Sequence, residues 1–431
     1  MDAITIKVEK LVYGGDGLAY HEGKPVFVPF VLPGEVVEVF PVEESRKLIR
    51  ALPGEVRQAS DARIEPACPY FARCGGCHYQ HLAYERQLAL KAEILRETLR
   101  RLGKLDWAGE IRPQASPEPW HYRNRIQLKL GRHPVAAEAL QIGFHRAGSH
   151  SLCAVEHCPI SSPKLNQLLA VLHRLASERA LPLSLRAAEA LVDDREHSFW
   201  LTLAAPRLDF DLAALAERLR TELDGLLSLQ FHETSTDRRE TLGLGWITYQ
   251  VGPHRYRVSH QAFFQANRHL LAQLVERVTA GLTGRVALDL YAGVGLFTRA
   301  LAECFPRVVA VEAHPATAAD LAANVADLEG VEALPLTVAE FLHRSPEKAD
   351  LVLLDPPRGG LERGVAEALR ELAPPRLVYL SCDPATLARD LGRLAPASAE
   401  GAGYRLVELE LIDLFPQTFH IEALARLERS A

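Results

Sequence analysis

Cys382 stands at the end of an apolar stretch, in the sequence LVYLSCDPATLARD over residues 377–390. The residues before it have the character of a buried strand, and those after it begin a helix. A thiol at the end of a strand can act as a nucleophile, although a lone cysteine is more often a small core residue. Its surroundings must therefore decide its chemistry.

A second group of residues is typical of a nucleoside site. The sequence LDLYAGVGLFT places Asp289 at a strand end and puts Gly293 and Gly295 in the turn before a helix, where a ligand can approach the backbone closely. A dinucleotide turn would carry a third small residue where this chain has Thr298, which disfavours a pyrophosphate site. Glu312 ends the next predicted strand and suits a carboxylate that accepts hydrogen bonds from two ribose hydroxyls.

Asp355 ends a later strand, in LVLLDPPRGG, and Cys382 ends the strand after that. In an open parallel sheet the carboxyl ends of the strands border the ligand crevice. We therefore expect Glu312, Asp355 and Cys382 to lie in one cleft.

Three cysteines, Cys68, Cys74 and Cys77, lie within ten residues of a segment rich in Gly and Pro. Such a spacing indicates a ligand set, because three thiols so close together seldom arise for packing. Zinc and an iron–sulfur cluster both accept four thiolates, and the spacing leaves both open. Cys304, in RALAECF, is expected to pack inside a helix.

The whole chain has 431 residues, is 48% hydrophobic and carries a net charge of −6. It lacks a membrane-spanning stretch and a signal-peptide pattern, which predicts a soluble cytoplasmic protein. The acidic balance disfavours a generally basic surface, so nucleic acid would bind locally. The candidate binding segment is residues 121–150, where a single acid, Glu138, accompanies five cationic side chains: Arg123, Arg125, Lys129, Arg132 and Arg146. The alternative interpretation is that these side chains form only a solvated face of a sheet.

The pattern of elements predicts three regions. Residues 1–57 read as short alternating strands with glycine turns, typical of a small β-barrel. Residues 58–250 form an α+β central region with the cysteine segment, a helix that ends at Gly103 and a leucine-rich helix over 162–180. Residues 251–431 alternate strands and helices, which predicts a doubly wound parallel sheet, closed by two further strands with a tight connection.

Four motifs in this order carry a family resemblance: DLYAGVG, DPPR, SCDPATLARD and DLFPQTFHIE. They resemble the S-adenosylmethionine-dependent RNA uracil-5-methyltransferases, especially the bacterial 23S ribosomal RNA branch. The N-terminal region resembles that branch's TRAM domain, an oligonucleotide-binding-type barrel, and the cysteine segment resembles its iron–sulfur region. The resemblance implies a Rossmann-like methyltransferase domain at the C-terminus and spans nearly the whole chain.

The resemblance also implies roles for individual residues. Cys382 would add to C6 of uracil, and Glu422 would remove the proton from C5 after methyl transfer. Phe263 would stack on the flipped target base. The residues implied or expected to contact the methyl donor S-adenosylmethionine are Gln265, Tyr291, Glu312 and Asp355.

For the cysteine segment, the resemblance implies a [4Fe–4S] cluster held by Cys68, Cys74, Cys77 and a distant fourth cysteine. That fourth ligand is Cys158 in HCPIS, with Cys153 as the alternative. Four thiolates leave no open iron, so the cluster is expected to have a structural or RNA-docking role.

The sequence thus predicts an enzyme that methylates C5 of a uridine in 23S ribosomal RNA and acts as a monomer. One alternative is a transfer-RNA uridine C5-methyltransferase with the same mechanism. Two others belong to different classes: a non-catalytic iron–sulfur RNA-binding protein and a small-molecule methyltransferase. An intact Cys382 and Glu422 disfavour the former, and the barrel and cysteine segment disfavour the latter.

Overall fold

A computed structural model describes residues 2–132, 139–344, 346–395 and 403–430. Glu138, the acid within the predicted cationic stretch, lies outside these residues. None of the helices in the described part of the chain is long and apolar enough to cross a membrane.

The N-terminal strands form one six-stranded sheet in the order β1-β5-β6-β4-β3-β2. Alternating valine, isoleucine and alanine side chains point inward and form a separate small core, as the period of two predicts. The turn between β2 and β3 uses Gly14 and Gly15, both at positive φ. The strands are β1 (Ile4–Lys7), β2 (Lys10–Leu11), β3 (Asp16–His21), β4 (Lys24–Pro29), β5 (Val36–Glu44) and β6 (Ile49–Gln58).

The predicted helix after the cysteine segment is α1 (Tyr84–Thr98), which continues as a π-helical turn over Leu99–Gly103. It ends at Gly103 as expected. A Cβ at Gly103 would lie 2.7 Å from the carbonyl oxygen of Ala388, so the glycine lets the turn approach a C-terminal helix closely.

The central region is a seven-stranded sheet in the order β10-β9-β8-β11-β12-β13-β14, with two helices, followed by a β-hairpin. Buried leucines of α2 and α3 join the core of this sheet. The elements are β8 (Arg125–Arg132), β9 (Leu140–His145), β10 (Leu152–Ala154), α2 (Pro163–Ser177), β11 (Ala187–Val192), β12 (Phe199–Ala205), α3 (Leu212–Glu222), β13 (Leu226–Glu233), β14 (Arg238–Gly243), β15 (Trp246–Val251) and β16 (His254–Ser259).

The C-terminal sheet has eight strands in the order β19-β18-β17-β20-β21-β23-β22-β7. The strands from β19 to β21 are parallel, and β23 joins β21 in the antiparallel sense. Its elements are β7 (Arg112–Gln114), α4 (Leu271–Thr279), β17 (Val286–Leu290), α5 (Thr298–Ala302), β18 (Arg307–Val311), α6 (Pro315–Val325), β19 (Val331–Leu334), α7 (Val338–His343), β20 (Leu351–Leu354), α8 (Val365–Leu372), β21 (Arg376–Ser381), α9 (Pro384–Leu394), β22 (Tyr404–Ile412) and β23 (Glu422–Arg429).

The connection between β22 and β23 is not the tight turn that the sequence predicted. It runs over residues 413–421 and is held by contacts from outside its own sheet. Lys91 of α1, which is fully buried, donates to Asp413 Oδ1 at 2.6 Å and to the Phe415 carbonyl at 3.0 Å. These interactions join the central region to the C-terminal sheet.

We expect the variant Lys91→Met to lower the free energy of unfolding by about 3–5 kcal/mol, because it leaves the Asp413 carboxylate buried without its cation. Urea denaturation measures this loss. Adding Asp413→Leu to the same variant should recover much of it, since the unpaired charge is then gone. Lys24→Met removes an exposed ion pair with Glu44 and should leave the denaturation midpoint unchanged. An equally unchanged midpoint for Lys91→Met would contradict the buried pair.

Candidate active site

Four predicted site residues follow neighbouring parallel strands at the point where each strand ends. Tyr291 follows β17, Glu312 follows β18, Asp355 follows β20 and Cys382 follows β21. All four line one cavity of about 600 Å³, as the shared sheet edge predicts. The sequence-predicted residues Gln265, Phe263 and Glu422 line the same cavity.

Strand register brings Cys382 and Glu422 together. Ser381 of β21 pairs with Ala423 of β23 in the antiparallel sense. Cys382 directly follows Ser381 and Glu422 directly precedes Ala423, so this register, continued by one residue, places the two opposite one another. Glu422 is 2% exposed, which sets its carboxyl group within the wall of the cavity.

Burial raises the pKa of three acidic groups in the cavity wall. Desolvation, together with the Glu422 and Asp355 charges, raises the pKa of the Cys382 thiol to about 12, and Arg358 opposes this shift. Burial also raises the pKa of Glu422 well above its ordinary value, again with a contribution from Asp355. For Asp355 the pKa rises to about 8, first through desolvation and then through Asp289 and Glu312. A desolvated carboxyl group of this kind is a stronger base than an exposed one.

The glycine turn after β17 contacts Glu312 directly. The backbone N–H of Gly293 donates to Glu312 Oε2 at 3.0 Å, and that of His314 donates to Oε1 at 2.7 Å. These bonds fix the carboxylate at the cavity wall while its remaining lone pairs stay available to a ligand's hydroxyl groups. Tyr291 has a φ of 64°, an unusual conformation for an aromatic residue, which aims its ring into the cavity wall.

The segment that carries Phe263 and Gln265 is held by the central sheet. Arg125 donates to the Ala262 carbonyl at 2.7 Å, and Asn124 donates to the Gln265 carbonyl at 3.3 Å. Gln265 is buried, whereas the Phe263 side chain is 61% exposed at the cavity mouth. An exposed aromatic ring at this place can stack on a planar ligand.

Arg125 is therefore not part of a free cationic surface. Its guanidinium lies 2.6 Å from Glu189 Oε1 and over the Trp200 ring, and it is 16% exposed. Of the other cations in the predicted stretch, Arg132 and Arg146 are exposed, and Arg123 and Lys129 are half-buried. The stretch thus combines a structural arginine with exposed cations.

The cysteines of the predicted ligand set line a second cavity. Cys68, Cys74, Cys77 and Cys158 all face it, and Cys153 is not among its lining residues. In the described part of the chain, no group of three or more His, Cys, Asp or Glu side chains is arranged to hold a metal ion. Four thiols around one cavity suit a polynuclear cluster, whose own iron and sulfide atoms would fill the space between them.

Cys304 contradicts the sequence-based expectation that it packs inside a helix. The helix α5 ends at Ala302, and the Cys304 side chain that follows is exposed. The short helix turns the thiol outward instead of into the core.

Sequence reasoning missed one contact beside the thiol. The hydroxyl of Tyr13, in the N-terminal region, donates to Asp383 Oδ2 at 3.1 Å, and its ring packs edge-on against Phe419. Asp383 also accepts from two backbone N–H groups at the start of α9, which makes it the cap of the helix after Cys382. No local pattern marks Tyr13, because its partner lies far along the chain.

Comparison with known families agrees with this architecture. The model of the tRNA (uracil-5-)-methyltransferase family matches residues 83–344 and 345–430, and the TRAM domain model matches residues 2–46. The chain belongs to this methyltransferase family. It is thus an S-adenosylmethionine-dependent RNA uracil-5-methyltransferase with an N-terminal TRAM domain, as the motifs indicated.

Individual relatives match over almost the full length. The chain is 34% identical to a 23S rRNA (uracil(1939)-C(5))-methyltransferase RlmD of Erwinia tasmaniensis, covering 99% of this chain and 96% of that protein. It is 32% identical to the RlmD of Vibrio parahaemolyticus at the same coverage. A solved structure with the same fold is the Pyrococcus abyssi tRNA (uracil-54, C5)-methyltransferase in complex with S-adenosyl-L-homocysteine, with a TM-score of 0.77, 24% identity and coverage of 98% and 100% of the two chains.

Alkylation by iodoacetamide should report the protonation of Cys382, with exposed Cys304 as the reference thiol in the same chain. Because burial raises the pKa of Cys382, its rate should still rise about tenfold per pH unit between pH 8 and pH 10. Arg358→Met should slow the reaction at pH 8 several-fold, because it removes the positive charge that lowers the pKa of the thiol. Peptide mass spectrometry measures the rates of both thiols. A Cys382 rate that levels off below pH 9 would contradict the raised pKa.

Proposed function

We propose that this protein transfers a methyl group from S-adenosylmethionine to C5 of a uridine in 23S ribosomal RNA. The observation that carries the proposal is the placement of Cys382 opposite Glu422, in the cavity that also holds Glu312. The RlmD relatives, matched over nearly their whole length, support 23S ribosomal RNA as the substrate.

A uracil ring needs a nucleophile because its C5 is too weakly nucleophilic to attack a methyl group. In the proposed reaction, the Cys382 thiolate forms a bond to C6, and the electrons of the C5–C6 double bond move into an enolate. C5 of the enolate then bonds to the electrophilic methyl group of S-adenosylmethionine, while the bond between that methyl group and the sulfonium sulfur breaks and S-adenosylhomocysteine is left. Glu422 takes the proton from C5, the double bond forms again, and the carbon–sulfur bond breaks to return the Cys382 thiolate.

The remaining cavity residues support binding and orientation in this proposal. Glu312 would accept the ribose hydroxyls of the donor, and Gln265, Tyr291 and Asp355 would line the rest of the donor's site. Phe263 would stack on the target base once it has left its helix. The exposed position of its ring at the cavity mouth supports this role.

We also propose three functional regions: a TRAM-like RNA-binding barrel over 1–57, a central region over 58–250 and a methyltransferase domain over 251–431. Cys68, Cys74, Cys77 and Cys158 would hold a [4Fe–4S] cluster in the central region. Their shared cavity supports this ligand set and favours Cys158 over Cys153 as the fourth ligand. A transfer RNA remains the alternative substrate, since the solved relative with the same fold is named for one.

The decisive experiment combines the purified protein, a radiolabelled methyl donor and either unmodified 23S ribosomal RNA or unmodified transfer RNA. We expect label at C5 of one or more uridines of the ribosomal RNA. Cys382→Ala should abolish transfer, and Glu422→Gln should trap a protein–RNA adduct that survives denaturation, because C5 keeps its proton. Ser381→Ala, a change beside the thiol that leaves both groups in place, serves as the control.

Label in transfer RNA alone would replace the proposed substrate with the alternative. Full activity of Cys382→Ala would disprove the covalent mechanism. Turnover of Glu422→Gln at the unaltered rate, without an adduct, would remove Glu422 from its role as the base.

The proposed cluster has its own test. Anaerobically purified protein should be brown and contain about four irons per chain. Cys158→Ser should lose most of the iron, whereas Cys153→Ser should retain it. The reason is that Cys158, unlike Cys153, lines the same cavity as the other three thiols. A colourless protein with one zinc would contradict the proposal, and iron loss in Cys153→Ser alone would reassign the fourth ligand.

A further inference from the structure

The segment 413–421 leads directly into Glu422, yet few of its hydrogen bonds come from its own sheet. Its partners lie in the cysteine segment, in α1 and near the start of β8. Apart from the Lys91 contacts, the Tyr122 hydroxyl donates to the Pro416 carbonyl at 3.0 Å. A hairpin connection does not need such support, which indicates that the position of this segment matters.

Gln417 is the central residue of the segment. It has a φ of 68°, a left-handed conformation that costs a residue with a Cβ free energy unless the surroundings fix it. It is 3% exposed, so water cannot satisfy its polar groups. Neighbouring groups must therefore hold both its backbone and its side chain.

Gln87 of α1 provides that support through a reciprocal amide pair. Its Nε2 donates to Gln417 Oε1 at 2.9 Å, and its Oε1 accepts from the Gln417 backbone N–H at 3.0 Å. Gln87 is fully buried, and the carbonyls of Tyr79 and Leu82 also lie within hydrogen-bond distance of its Nε2, at 3.0 Å and 2.8 Å, so its two N–H bonds are shared among three acceptors. One side chain thus connects the end of the cysteine segment with the segment before Glu422.

The cysteine segment contacts the same residue. The backbone N–H groups of His78 and Tyr79, directly after Cys77, donate to the Gln417 carbonyl at 2.8 Å and 3.0 Å. The His78 ring packs edge-on against Phe419 at 4.6 Å between ring centroids. The loop that carries three of the candidate cluster ligands therefore also holds the Gln417 backbone in place.

These contacts reach the cavity. Phe415 and His420, on either side of Gln417, line the cavity together with Glu422. A shift of Gln417 would move this wall and the start of β23 with it. Cys382 would be less affected, because it directly follows β21, a strand that lies between β20 and β23 in the sheet.

We propose that Gln87 is a positioning residue for Glu422, and that the cysteine loop acts through the same contact to order the cavity wall at residues 413–421. This inference rests on the proposed function, in which Glu422 is the base. It gives the cysteine loop a task in catalysis that does not require it to touch RNA.

The test is Gln87→Met, which keeps the size of the side chain and removes its hydrogen bonds. We expect kcat to fall at least tenfold, with little change in KM for the methyl donor or the RNA, and the covalent protein–RNA adduct to accumulate during turnover. A general loss of structure would not raise the adduct. Glu93→Met, an exposed change on the same helix, is the control and should behave as the unaltered protein.

Amide hydrogen exchange gives a readout that does not depend on activity. Exchange over 413–421 should be faster in Gln87→Met and in Cys77→Ser, while β21 stays protected. Gln417→Gly is the second variant, because glycine tolerates the positive φ and removes only the side-chain half of the amide pair. It should show the same effects as Gln87→Met, to a smaller extent, even if Gln87→Met does not fold.

Glu422→Gln distinguishes a failure of the positioning role from a failure of the proposed function. If Glu422→Gln accumulates the adduct while Gln87→Met and Gln417→Gly turn over normally without an adduct, the positioning role is wrong and the proposed function stands. If Glu422→Gln itself shows normal turnover without an adduct, the proposed function fails first. Unchanged exchange over 413–421 in Gln87→Met and Gln417→Gly would also overturn the positioning role.

Discussion

The antiparallel pairing of β21 with β23 is the constraint on which the site depends. A parallel sheet alone brings strand ends to one edge, which accounts for Glu312, Asp355 and Cys382. Glu422 lies at the beginning of its strand, so it can reach that edge only because β23 runs in the opposite direction. The Ser381–Ala423 register then sets the carboxyl group beside the thiol. A shift of one residue would turn the side chains of β23 to the other face of the sheet.

The large features of the molecule could be predicted from the sequence because they depend on local patterns. The alternating strands near the N-terminus, α1 with its end at Gly103 and the regular strand–helix alternation each follow from a periodicity or a turn residue. The resemblance in four motifs supplied Glu422, which periodicity alone would treat as a polar residue of a strand. Motifs at strand ends were thus the informative part of the sequence.

The features that the sequence did not predict share a different physical cause. The connection over 413–421 looked like a tight turn because the residues that support it, such as Gln87 and Lys91, are polar members of a helix. Nothing local shows that they are buried. The contact of Tyr13 with Asp383, and the use of Arg125 as a structural rather than a surface cation, likewise depend on distant partners. Buried polar residues require a partner, but the sequence does not name it.

Desolvation couples the titration of the acidic groups in and near the cavity. Asp289 raises the pKa of Asp355, and Asp355 in turn raises the pKa of Glu422 and of the Cys382 thiol, so the titration of each group depends on the others. A positively charged ligand in the cavity would favour the ionised carboxyl groups. The sulfonium of a methyl donor carries such a charge. Binding of the donor would therefore oppose the effect of burial and lower the pKa of Asp355 and Glu422, at the stage when the proposed reaction needs a base.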